Sequence, residues 1–83
     1  MPIEVKVLYF GRLRDVVGRA EESAQIPADS SLAQLFVHLS SRHPGISDFR
    51  ASLVASRNQE FAAWSTPLQS GDEIAFLPPV SGG

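Results

Sequence analysis

Residues 31–43 limit the possible folds more than any other part of this chain. Ser31-Leu32-Ala33-Gln34 has the form of a capping box, in which a serine hydroxyl and a glutamine amide satisfy the free backbone donors of a helix start. Leu32, Leu35, Phe36 and Leu39 then fall at i, i+3, i+4 and i+7, which makes one apolar stripe along the helix, and Pro44-Gly45 stops it. Such a stripe must be covered. Residues 3–10 supply a surface of the right kind, because they alternate: Ile3, Val5, Val7 and Tyr9 share one face, and Glu4, Lys6, Leu8 and Phe10 the other.

The remaining segments fit around that pair. Residues 12–17 read as a short helix closed by Gly18, and 22–26 as a second strand ending at Pro27. Residues 53–56 and 59–64 read as short strands around Arg57-Asn58. Pro67-Leu68 reads as a loop, Ser70-Gly71-Asp72-Glu73 as a turn, and 74–77 as the last strand. One main helix among four to five strands implies an α+β layer structure with the helix lying across a mixed sheet, for which the ubiquitin-like β-grasp is the natural candidate. A single domain over 1–83 is expected, with 78–83 as an extended, flexible C-terminal tail.

Composition narrows the chemistry. The chain has no cysteine, which excludes disulfides, thiolate nucleophiles and zinc–cysteine sites. A formal net charge of -2 gives no basic stripe for nucleic acid. Uninterrupted apolar runs such as 7–10 and 74–77 are far too short for a membrane span or a signal-peptide core, so the expected location is cytoplasmic. His38 and His43 stand about 140° apart around a helix and cannot share a metal as an i, i+4 pair does. Glu21-Glu22 and Asp72-Glu73 are adjacent rather than facing, and read as solvated acids. No Gly-x-Ser-x-Gly elbow is present. A self-contained active site is therefore not expected, nor a metal or bound cofactor on this chain.

What is left is the ending Pro78-Pro79-Val80-Ser81-Gly82-Gly83. Proline holds the chain extended, and glycine has no Cβ, so a carboxylate carried on this tip can pass through a narrow channel. Taken alone, two final glycines are also what a truncated loop would leave. The wider pattern is more specific. Residues 8–18 (Leu-Tyr-Phe-Gly-Arg-Leu-Arg-Asp-Val-Val-Gly), Asn58-Gln59, Pro67-Leu68 and the block 70–83 together resemble the small, sulfur-carrying subunit family of molybdopterin synthase. The resemblance spans nearly the whole chain, and residues 44–52 carry none of it.

That resemblance implies a function. The Gly83 carboxylate would be adenylated by a ubiquitin-activating-type enzyme, which uses the ATP, and a persulfide on a sulfur donor protein would convert it to a thiocarboxylate. The anionic terminal sulfur is a nucleophile without needing a neighbouring base. Gly83 is then the reacting position, and Pro78, Pro79, Val80, Ser81 and Gly82 insert into the large synthase subunit, which carries the catalytic side chains. Strand alternation adds a partner surface: Leu8 and Phe10 on the charged face, joined by Leu77 and by Phe61. Arg12 and Arg14 read equally as a solvated helix face; the family is commonly basic at the position of Arg14, which assigns Arg14 to the partner surface. The alternatives are a carrier for thiamine, cysteine or a thiolated nucleoside, a modifier conjugated through Gly83, and an interaction domain whose glycines are incidental.

Overall fold

The structure, a computed structural model, describes residues 1–77. Strands β1 (Pro2–Tyr9), β2 (Glu21–Pro27), β3 (Val54–Arg57), β4 (Glu60–Ala62) and β5 (Glu73–Leu77) form one sheet in the order β2-β1-β5-β3-β4. β1 runs parallel to β5 and antiparallel to β2, and β3 is antiparallel to both β5 and β4. Helix α2 (Leu32–Arg42) covers one face of the sheet, and α1 (Arg12–Val17) follows β1. This is the mixed-sheet β-grasp arrangement that the alternation and the helical stripe predict.

Local chemistry explains the main helix. Ser31 Oγ accepts from the Gln34 backbone N–H at 3.2 Å while Gln34 Oε1 accepts from the Ser31 N–H at 2.8 Å, closing the predicted capping box. The next free donors are met from outside the helix, because Leu32 N–H donates to Thr66 O and Ala33 N–H to Trp64 O. This explains one difference from expectation. The strand predicted over 59–64 ends at Ala62, since the backbone beyond it turns away to serve the helix start.

All four stripe residues of α2 are buried, together with Val5, Val7 and Tyr9 of β1 and Ile74 and Phe76 of β5. Phe36 meets both Trp64 and Phe76 edge-on at 5.5 Å, and Trp64 stacks on Phe76 at 5.9 Å. The Arg50 guanidinium lies 3.6 Å above the Trp64 ring and closes the cluster on its outer side. Arg50 belongs to a 3₁₀ segment, Pro44–Ser52, for which the sequence pattern gives no expectation. This segment supplies the buried Ile46 beneath the end of α2.

Two further corrections concern turns and acids. The β3–β4 hairpin turns on Asn58-Gln59 rather than Arg57-Asn58: both residues have positive φ, 53° and 72°, as a two-residue type I′ connection requires, and Arg57 pairs with Glu60. Of the acids expected to be solvated, Glu22 and Asp72 are not. Glu22 sits opposite Val7 on the inward side of the edge strand β2, and its side chain is 7% exposed. It accepts a hydrogen bond from the Tyr9 hydroxyl, one from His43 Nε2–H at 2.8 Å and one from Arg42 Nη1 at 3.4 Å. An inward charge on an edge strand also discourages pairing with another chain.

Candidate functional site

The register of the sheet builds the outer face, opposite α2. Leu8 lies beside Ala75, Ala75 beside Ser56, and Ser56 beside Phe61, so one row crosses four strands. Beyond it, Val54 pairs with Leu77, and Phe10 follows Tyr9 at the same end of the sheet. Together Leu8, Phe10, Phe61, Ala75 and Leu77 line an open groove of about 340 Å³ with Ser56, Gln59 and Glu73. Phe61 is 80% exposed and Phe10 43%, which is unusual for side chains of that size in a sheet that already buries its other face.

The partner residues expected at Leu8, Phe10, Phe61 and Leu77 are therefore brought together on one surface. Arg14 is not among them. It lies on the exposed side of α1, around a separate shallow depression with Asp15, Gly18 and Arg19. Alternation pointed to Leu8 and Phe10, but Ser56, Gln59, Glu73 and Ala75 come to the groove only through cross-strand register. A sequence pattern could have supplied them once β5 was placed between β1 and β3. Gly83 and the tail positions Pro78, Pro79, Val80, Ser81 and Gly82 lie outside the described residues.

The two halves of the groove are held in place by Asp72. Its side chain is 7% exposed and accepts from Arg57 Nε at 2.7 Å, Asn58 Nδ2 at 3.0 Å and the Gln69 N–H at 2.8 Å. Burial on its own would raise the Asp72 carboxyl, but the Arg57, Gln69 and Asn58 hydrogen bonds and the Arg57 charge outweigh it and hold the group below the usual range. Asn58 in turn exchanges hydrogen bonds with Glu73, as its Oδ1 accepts from the Glu73 N–H at 2.9 Å and its own N–H donates to Glu73 O at 2.7 Å. The hairpin bearing Phe61 is thus tied to the strand bearing Leu77. Gly71, at φ 91°, makes the turn that presents Asp72, a conformation that a side chain would strain.

Lys6 and Glu21 form an ion pair at 3.0 Å on the same outer face, beside the apolar row, and hydrogen bonding to Glu21 raises the Lys6 ammonium above its ordinary value. On the opposite face, burial and the hydrogen bond to Glu22 raise the Tyr9 hydroxyl. Burial opposes ionisation of Glu22, yet the hydrogen bonds from Tyr9 and His43 and the His43 and Arg42 charges keep its carboxyl low. Among the described residues no group of three or more His, Asp or Glu side chains could hold a metal ion, and no helix is long and apolar enough to cross a membrane. What the described residues assemble on the outer face is an apolar groove with Glu73 at one end.

The model of the ThiS family matches residues 7–83. The molybdopterin synthase sulfur carrier subunit of Homo sapiens is 36% identical over 83 residues, covering 96% of this chain and 94% of that protein. Among solved structures, the small archaeal modifier protein 1 of Methanosarcina acetivorans superposes with a TM-score of 0.83 at 26% identity, covering 100% of this chain and 99% of the other. A protein–protein complex of subunits 1 and 2 of molybdopterin-converting factor from Helicobacter pylori contains a chain that matches with a TM-score of 0.66 at 29% identity, covering 98% of this chain and all of that one. Match length, identity and fold agree, and the chain belongs to the ThiS family, as a relative of the molybdopterin synthase sulfur carrier subunits.

Proposed function

We propose that this chain is the sulfur carrier subunit of a molybdopterin synthase. The observation that carries the reading is the apolar groove of Leu8, Phe10, Phe61 and Leu77, because Leu77 ends β5 and leads directly into residues 78–83. A protein that docks on this groove holds the reactive tip at a fixed distance along the chain, and binding there replaces a chance encounter with an oriented one. In the reaction sequence, the Gly83 carboxylate attacks ATP on an adenylating enzyme and pyrophosphate leaves. The terminal sulfur of a donor protein's persulfide displaces AMP, and a reducing thiol cleaves the sulfur–sulfur bond to leave the thiocarboxylate. The large synthase subunit then receives the tail and directs the sulfur to the pterin precursor. Pro78-Pro79 lowers the entropy lost when the tail is ordered in that subunit.

The test is a reconstitution with ATP, an adenylating enzyme and a sulfur source, read out by intact mass. The native chain should exchange one oxygen for sulfur and then support molybdopterin formation with the large subunit. A chain extended by one Ala after Gly83 should do neither while remaining folded. Equal loading of the extended chain would end the carrier reading. A second reading, a modifier joined to lysines through Gly83, is favoured by the likeness to small archaeal modifier protein 1. Conjugate ladders that resist thiol reduction in immunoblots would support it, and a single free band would exclude it.

A further inference from the structure

The groove has apolar walls and one charged group, and that group is a carboxylate without an ion-pair partner among the described residues. Glu73 begins β5 at the end of the groove nearer Lys6. Lys6 is its neighbour across the β1–β5 pair and the two charges feel one another, but the Lys6 ammonium makes its direct ion pair with Glu21, at 3.0 Å on the far side. Arg57, which follows the groove residue Ser56 on β3, is also engaged, by Asp72 at 2.7 Å. Glu73 is partly buried and its backbone is fixed on both sides by Asn58. A carboxylate so placed, next to Leu8, Ala75 and Phe61, is suited to a guest with a hydrocarbon stem and a cationic end.

We infer that the groove receives a lysine or arginine side chain of the docking protein, with its stem along Phe61, Ala75 and Leu8 and its charge on Glu73. Gln59 and Ser56, which also line the groove, offer further acceptors to such a donor. The inference rests on the carrier reading, since it takes the large synthase subunit as the docking protein. It adds a charge requirement to a surface that would otherwise select only for apolar shape, and so gives the groove a way to reject partners with an acid at that position.

The experiment is titration calorimetry of the cognate large subunit against the wild-type chain, Glu73→Gln and Phe61→Ala at several salt concentrations. Glutamine keeps the size of the side chain and the two backbone bonds to Asn58, so circular dichroism and melting temperature should match the wild type. The expected result is a loss of about tenfold in affinity for Glu73→Gln together with a flatter salt dependence. Phe61→Ala should lose affinity with the salt dependence unchanged. Glu73→Gln binding as tightly as wild type, with the same salt slope, overturns the inference while Phe61→Ala still reports on the carrier reading. A melting temperature lowered in Glu73→Gln with affinity unchanged also overturns it, since Glu73 would then act through Lys6 inside this chain. Absence of wild-type binding to the large subunit overturns the inference together with the function on which it rests.

Discussion

Replacing Asp72 with Ala should destabilise the fold far more than an acid in a surface turn ordinarily would. The Asp72 side chain accepts from three donors on two segments: Arg57 at 2.7 Å and Asn58 at 3.0 Å from the β3–β4 hairpin, and the Gln69 backbone at 2.8 Å from the turn before β5. A hydrogen bond to a charged group contributes roughly 1.5 to 3 kcal/mol, and a neutral one about 1. The Arg57 side chain is 31% exposed and partly recovers its hydration in the variant, so its share is discounted. The sum is about 3 kcal/mol, which in a domain of this size lowers the melting temperature by about 12 to 24 °C. Thermal melts monitored by circular dichroism at neutral pH measure it directly. Asp72→Asn isolates the charge: because the folded carboxyl is held low, its contribution is complete above the ordinary carboxylate range and disappears as pH falls below about 4 and through the lowered folded value. The advantage of wild type over Asp72→Asn should shrink over that interval. A drop of less than about 4 °C for Asp72→Ala at neutral pH would refute the reasoning. The turn would then be held by its backbone bonds alone, from Gly71 N–H to Glu4 O and from Lys6 N–H to Asp72 O.

Leu35 is fully buried under the helix stripe, so Leu35→Ala should cost about 2 to 5 kcal/mol in denaturant unfolding, and an unchanged midpoint would remove it from the core. Glu22→Gln should lose roughly 1 to 2 kcal/mol at neutral pH through its bonds with Tyr9 and His43. Since the Glu22 carboxyl is also lowered on folding, that deficit should close as pH falls below about 4, and an acid-independent deficit would count against the ionised cluster. Phe10→Ala should weaken partner binding by about 1 kcal/mol or more with little change in melting temperature, because Phe10 lies on the face away from the helix; the reverse pattern would mean that the faces of β1 are exchanged.

The parts of the fold legible in the sequence are those with a period. Alternation through β1 separates Val5, Val7 and Tyr9 from Leu8 and Phe10, and the capping box locates the first turn of α2 to within a residue. The 3₁₀ segment is invisible because Pro44-Gly45 reads as a stop, and residues 46–52 bury only Ile46, too few apolar positions to set a period. The hairpin is displaced by one residue from its expected place because Gln59 carries a positive φ, which its residue type rarely does. The two buried acids escape the sequence for different reasons. Glu22 continues the inward series Ala24 and Ile26, so the alternation contains the signal and the charge overrides it. Asp72 has no such series, and its three donors converge only when the hairpin and β5 are assembled.

The parallel pairing of β1 with β5 has a consequence for how the chain is made. The strand synthesised last among those described occupies the centre of the sheet, between β3, which shortly precedes it, and β1, which emerged at the start of the chain. Until it arrives, the β1–β2 and β3–β4 hairpins are separate pieces, each with an inner edge open to pairing with anything nearby. Closure must wait for one strand that joins residues from opposite ends of the chain, a topology that favours a single late step over gradual assembly during translation. The same step that completes the core also forms the groove, because β5 brings Glu73, Ala75 and Leu77 to it. A nascent chain therefore has no complete groove, and anything that recognises it can engage only a molecule that has finished folding.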